Sequence, residues 1–325
     1  MQFVKFKQMN AVYFEELFFK INAIYPIVLV ILGSIGNGLV IIIFTSNGFK
    51  KTSTCFYFAF LAIVDTFAIY IGAIKFSYEG FTKSELGLVS LFFCKFTPFI
   101  TYSLSNISSG TLVVISLERL FRTFSTKVFS KLQGKKFQFL IIISLVLLIF
   151  MVNIPILIYF DLKNDTNNSL ECESSNQKIL TINIVDFIFS IFLPFSITIL
   201  SSIIILIKIK KSKNKISSNI QTFRKASNYM LTIITRIIVF FLLNSPLSIL
   251  LIWFAEKKLE NEFEISVYNF IYTIFNILFY FDYSINFFVH FTMNISFRKK
   301  FYKLTINFFL NIRKFFRNII NKFSQ

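Results

Sequence analysis

Seven long apolar stretches, separated by short charged segments, limit what this chain can fold into. They run roughly over 23–46, 54–77, 91–121, 137–160, 179–209, 229–255 and 265–293. A helix needs about 20 residues to cross a hydrocarbon core of ~30 Å, and every stretch is long enough. In lipid the backbone must satisfy its own hydrogen bonds, which leaves helices and closed barrels; continuous apolar runs select helices. The prediction is an all-α membrane protein, a seven-transmembrane helix bundle. The hydrophobic share of 55% agrees with it.

Charge orients the bundle. With the amino terminus outside, the outer segments hold Glu15, Glu16, Glu79, Glu85, Asp161, Asp165, Glu171, Glu173, Glu256, Glu260, Glu262 and Glu264. The inner side then holds one acid, Glu118. It gathers Lys50, Lys51, Lys127, Lys131, Lys135, Lys136, the basic run 208–225 and the tail. Lys and Arg retained on the cytoplasmic side are what orient a membrane protein. The net charge of +18 is therefore mostly an inner-face property, suited to anionic membrane lipid. Split among loops, it does not suit nucleic acid. The expected location is the plasma membrane, multi-pass, with the amino terminus extracellular. Three parts are expected: an extracellular segment over 1–22, the membrane domain over 23–293, and an amphipathic helix with a basic cytoplasmic tail over 294–325. Residues 1–20 mix Lys5, Lys7, Glu15, Glu16 and Lys20 into an aromatic stretch, unlike a cleavable signal peptide. The first span is expected to direct insertion.

Cys94 begins span three at its outer end, and Cys172 lies in the outer loop between spans four and five. Both face an oxidising compartment, where disulfides persist. A bridge between them would pin that loop across the mouth of the bundle; the alternative is two unpaired thiols. Cys55, at the inner end of span two, should stay reduced. The same outer loop carries glycan acceptor patterns at Asn164 and Asn167.

Polar residues inside spans are costly and ask for a reason. Asn37, Asp65 and Asn286 lie at depths that let them meet inside one bundle. Glu118-Arg119 closes span three. Arg119 is 25 residues beyond Cys94, roughly 37 Å along a helix, so the two mark opposite interfaces. Pro155, Pro194 and Pro246 interrupt spans four, five and six, where proline removes a donor and kinks the helix. Arg236, inside span six, either snorkels to the inner face or pairs with a buried acid.

These features together resemble the rhodopsin-like (class A) G-protein-coupled receptors over roughly residues 23–310. The matching residues are Gly36-Asn37, Leu61-Ala62-Ile63-Val64-Asp65, Cys94, Glu118-Arg119-Leu120, Cys172, Pro194 and Asn244-Ser245-Pro246. In span seven, Asp282-Tyr283-Ser284-Ile285-Asn286-Phe287-Phe288-Val289-His290 stands where the family has Asn-Pro-x-x-Tyr. Ser284 to Phe288, followed by Phe297-Arg298-Lys299-Lys300-Phe301, is most similar to invertebrate FMRFamide-like and related neuropeptide receptors. There are departures. Trp253 is the single tryptophan and lies outside span four. Asn244 takes the tryptophan position before Pro246. Phe287 replaces the span-seven proline and His290 its tyrosine. No tyrosine follows Pro194.

The resemblance implies a receptor that binds an extracellular ligand, a peptide above all, and activates a heterotrimeric G protein. It implies that Glu118 and Arg119 couple to that protein. It also implies an intramembrane polar network of Asn37, Asp65, Asn286 and a span-three serine, Ser109 or its neighbour Ser108, with sodium as a possible ion at Asp65. Ligand-pocket candidates are Thr101, Tyr102, Ser105, Asp186 and Tyr272. Span three has no aspartate for an amine, and the outer half of span seven has no lysine for retinal. The outer acids suit a cationic peptide, although loop solubility explains them too. One histidine and no phosphate loop or nucleophile elbow argue against an enzyme; no cofactor is expected. Two alternatives stand beside the receptor reading. One is a transporter or channel using Asp65, Asp186, Asp282 and Arg236 as an ion path. The other is a chemosensory receptor of the same fold. After span seven, Phe297, Phe301, Leu304 and Phe308 form one apolar face of a basic helix, a short eighth helix in the inner interface.

Overall fold

Each of the seven apolar stretches folds as helix. The computed structural model describes residues 2–47, 53–124, 134–164, 170–174, 176–213, 220–257 and 261–323. Spans one to four are α1 (Gln2–Thr45), α2 (Ser53–Thr82), α3 (Leu91–Phe124) and α4 (Lys135–Tyr159). Span five joins α5 (Asn176–Asp186) to α6 (Leu193–Lys213) through a π-helical segment, Phe187–Phe192. Span six is α7 (Ile220–Glu256), and span seven is α8 (Glu262–Ser284) with α9 (Asn286–Met293). The tail forms α10 (Ile295–Phe323). Among the described residues, six spans are long and apolar enough to cross a membrane as they stand; the seventh is divided.

That division needs no proline. The helix breaks at Ile285, with φ −92° and ψ 2°. The Tyr283 carbonyl, which an unbroken helix would give to the amide of residue 287, accepts the Asn37 side-chain amide at 3.1 Å and that of Asn286 at 3.5 Å instead. In span five the wide turn has a proline cause. Pro194 cannot donate and its ring crowds the carbonyl four residues back. The Leu193 amide reaches back five residues to the Ile188 carbonyl, opening one π turn.

The first helix begins at Gln2, well before its apolar run. Its 44 residues span ~66 Å, about twice a bilayer core. Residues 1–22, expected as a separate segment, are from Gln2 onward a continuation of this helix. Phe14 rests 5.4 Å from the Phe270 ring and 6.3 Å from Phe263, at the outer end of span seven. Spans one and two approach closely at Gly80, where a Cβ would fall within the backbone of Ala23.

Two buried clusters fill the bundle. The inner one includes Phe44, Phe58, Leu112, Ile237, Phe240 and Phe297. The outer one includes Leu29, Ile69, Phe76, Leu104, Leu247 and Tyr283. Large apolar side chains such as Ile31, Leu147, Met151 and Leu200 stay exposed on the outside of the bundle, as lipid as solvent demands.

A hairpin covers the outer end. β1 (Asp161–Asn164) pairs antiparallel with β2 (Leu170–Glu173), setting Leu162 opposite Cys172. Cys172 is bridged to Cys94 across 78 residues, and Lys95 Nζ lies 3.9 Å from Asp161. Of the two glycan patterns, Asn164 ends β1 and Asn167 lies outside the described residues.

At the inner end, α10 is 29 residues long, more than twice the expected apolar face over 297–308. The Asn294 side-chain oxygen accepts the Phe297 amide at 3.1 Å and starts the helix. Arg298 donates to the Phe291 and Thr292 carbonyls at 3.2 and 2.8 Å, and Lys300 donates to the Asn47 carbonyl at 2.9 Å. Two basic side chains thus close the carbonyl ends of spans seven and one. Phe297 is fully buried, Phe301 and Leu304 pack against the inner cluster, and Phe308 is exposed.

Candidate functional site

The outer half of the bundle contains a cavity of about 270 Å³. Of the candidates, Thr101, Tyr102, Ser105, Asp186 and Tyr272 all line it; Lys75, Asn183 and Asn276 were not singled out from sequence and line it too. A second space of about 460 Å³ opens above it, sharing Lys75, Pro98 and Tyr272 and bordered by Glu79, Glu85 and Cys172. Asp186 accepts hydrogen bonds from Asn106 at 2.9 Å and Ser190 at 2.7 Å. The π turn shapes this contact, because it lies between Asp186 and Pro194. Tyr102 donates to Asn183 at 2.7 Å, and Asn183 donates to the Leu251 carbonyl at 3.2 Å, so spans three, five and six are tied at the cavity wall. Thr101 turns its hydroxyl to the Thr97 carbonyl of its own helix. Lys75 sits over the Phe76 ring at 5.0 Å, and no carboxylate among the described residues lies within ion-pair distance of it. The cavity therefore carries one acid and one base.

At the inner end of span three, Glu118 is 6% exposed and accepts from Ser53 at 2.5 Å and Thr54 at 2.6 Å. Two guanidiniums approach it. Arg122, one turn further on, reaches 2.9 Å, whereas the adjacent Arg119 stays at 3.6 Å. Neighbouring side chains diverge on a helix, while i,i+4 pairs face each other. The closest charged partner of Glu118 is therefore Arg122, which sequence reading passed over.

Between the two apolar clusters lies a polar network joining five spans. The Asn286 amide donates to Asp65 at 2.6 Å and to Asn37 at 2.9 Å. Ser108 donates to the other Asp65 oxygen at 2.6 Å. Ser109, the first serine expected here, turns away and donates to the Asn106 carbonyl at 3.2 Å. One residue along a helix is a rotation of about 100°, enough to swap the two roles. Arg236 enters from span six. Its Nε donates to the Asn286 oxygen at 3.0 Å, its Nη2 lies 3.5 Å from Asp65, and its Nη1 pairs with Asp282. Of the two expectations for Arg236, pairing with a buried acid is what the structure has.

A family model described as "7 transmembrane receptor (rhodopsin family)" matches residues 36–289. The chain belongs to the rhodopsin family of seven-transmembrane receptors. No curated protein matches it.

In this receptor the departures from the family pattern acquire structural reasons. Phe287, in place of the span-seven proline, stacks with Phe291 at 5.6 Å and meets Phe297 and Phe301 at 5.8 and 5.3 Å, welding span seven to α10. His290, in place of the tyrosine, is buried between Phe44 and Phe58, with ring centroids 4.9 and 4.5 Å away. The residues around Asp65 do not fit a sodium ion. One Asp65 oxygen takes the Ser108 hydroxyl; the other takes the Asn286 amide and faces the Arg236 guanidinium. Nitrogen donors fill the positions where a hard cation needs oxygen ligands.

Proposed function

We propose that this receptor lies in the plasma membrane with its amino terminus outside, binds an extracellular peptide, and activates a heterotrimeric G protein. The observation that carries the reading is the two-tier opening under the disulfide-held hairpin, in which the inner cavity and the space above it share Lys75, Pro98 and Tyr272. An amine-sized ligand fills a single small pocket; a peptide uses both tiers. Asp186 offers a contact for a cationic or amide donor group, and Lys75 one for a carbonyl or carboxylate. The ligand class that suits both is a basic peptide with an acceptor-bearing end, a refinement of a purely cationic one.

The signalling step requires that the ligand bind the active arrangement better than the resting one. Tyr102, Asn183 and Leu251 join spans three, five and six at the cavity wall, so a ligand that displaces these bonds alters their relative positions. At the inner end, Glu118 holds Arg122 and lies beside Arg119. Opening there exposes Arg119 to the G protein. The transporter reading is weaker, because Arg236 pairs with Asp65 and Asp282 in the buried middle of the bundle.

The test is nucleotide exchange on a purified G protein, driven by the receptor in nanodiscs and screened with basic and neutral peptides. Basic peptides should stimulate exchange, and Asp186→Asn should weaken them about tenfold or more, since one lost charge-assisted bond is worth roughly 1.5–3 kcal/mol. Equal potency of neutral peptides, or undiminished potency on Asp186→Asn, would remove the ligand assignment. Exchange by no peptide, with transport of a solute instead, would remove the receptor mechanism.

A further inference from the structure

The cation at the centre of this receptor is a side chain. We propose that Arg236 is the resident counter-ion of the Asp65–Asp282 acid pair, so that the receptor binds no sodium at its intramembrane acid.

Three observations carry this. Arg236 is 1% exposed, and both acids are fully buried. Its three nitrogens face three different residues: Nε donates to Asn286, Nη1 pairs with Asp282, and Nη2 lies 3.5 Å from Asp65 as a charge contact without a hydrogen bond. The remaining faces of Asp65 are taken by Ser108 and Asn286, and Asn37 is engaged with Asn286 and the Tyr283 carbonyl. Among the described residues, Asp282 Oδ2 is the one oxygen of the acid pair without a hydrogen-bond partner, and a single oxygen is no cage for a hard cation. A guanidinium stays charged at every accessible pH, and a second cation beside it in a low-dielectric interior is repelled. A guanidinium is also broad and planar, so it reaches acids on spans two and seven at once, which a small ion would do only through intervening oxygens. The acid pair itself explains why a cation is needed: an unpaired charge at this depth is costly.

The experiment reads thermal unfolding of the purified receptor in nanodiscs, with sodium chloride exchanged for choline chloride at constant ionic strength. Cys55, a buried thiol outside the disulfide, reports unfolding to a thiol-reactive dye, so no ligand is needed. The wild-type melting temperature should be the same in both salts. Arg236→Met with Asp282→Asn removes one charge of each sign and leaves Asp65 without its cation. That double variant should melt about 2–4 °C higher in sodium at roughly tenfold excess over its dissociation constant. Arg236→Lys, which keeps the charge, should remain indifferent to the salt. A saturable, sodium-specific rise in the wild type would overturn the proposal, as would a folded double variant that shows no sodium effect. If the double variant does not fold, the wild-type comparison alone decides. Neither result depends on the peptide reading, which has its own readout in nucleotide exchange.

Discussion

Asn286 serves four spans with one amide group. Its nitrogen binds Asp65 and Asn37, and its oxygen receives Arg236. Replacing it with alanine leaves buried partners without their bonds, at about 1–3 kcal/mol for each unsatisfied group. Asn286→Ala should therefore melt several degrees below the wild type, and a melting curve unchanged within error would show that the network is not bearing load. Arg119→Ala should abolish G-protein exchange while leaving peptide affinity within about twofold; full exchange would contradict the proposed coupling role. Because Arg122 is the nearer of the two guanidiniums to Glu118, Arg122→Ala should raise basal exchange more than Arg119→Ala does, measured without ligand. At this scale the sequence was partly legible. Asn37, Asp65 and Asn286 announced themselves as polar residues at matching depths. Ser108 and Ser109 did not separate, because depth along a helix says nothing of rotation about it. Asp282 stood out as a buried acid, yet its pairing with Arg236 depends on how spans six and seven face each other.

The elements were more legible than their details. Hydropathy placed all seven spans, since lipid imposes a length on each. It did not show that the first helix runs on outward, because Glu15, Glu16 and Lys20 break the apolar pattern without breaking the helix. The split in span seven was also hidden. The family pattern ties such a break to a proline, and here side-chain amides cause it. Gly80 illustrates how little slack the packing leaves. Gly80→Val should force α1 and α2 apart at Ala23 and cost about 1–3 kcal/mol, seen as a lower melting temperature and reduced surface expression. Wild-type behaviour of that variant would mean the helices separate freely. For α10, spin labels along 297–308 should alternate between lipid and water exposure with a period near 3.6 residues. A flat, water-exposed profile would leave only a charged tether.

Across the whole molecule, the two ends are built differently. The outer end is covered by a hairpin fixed through Cys94 and Cys172, while the inner end is closed by basic side chains on helix carbonyls. Removing the bridge frees a long loop, worth about 2–4 kcal/mol in the chain-entropy account. Cys172→Ser should therefore sharply lower the amount of receptor at the cell surface; normal surface levels would show the cover to be dispensable. Charge asymmetry made the two ends distinguishable in the sequence, but the polar seam between the apolar clusters was visible only as isolated residues.

That seam has an electrical consequence. An ion that reaches the middle of a membrane from outside must cross part of the transmembrane field, which is worth ~2.3 kcal/mol per elementary charge per 100 mV over its full depth. Occupancy of such a site rises and falls with voltage. With Arg236 as the cation, the charge is covalently attached to span six and never exchanges with either bath. Depolarisation then has no ion to expel from this site, and a response to voltage would have to come from movement of fixed charges such as Arg236 itself.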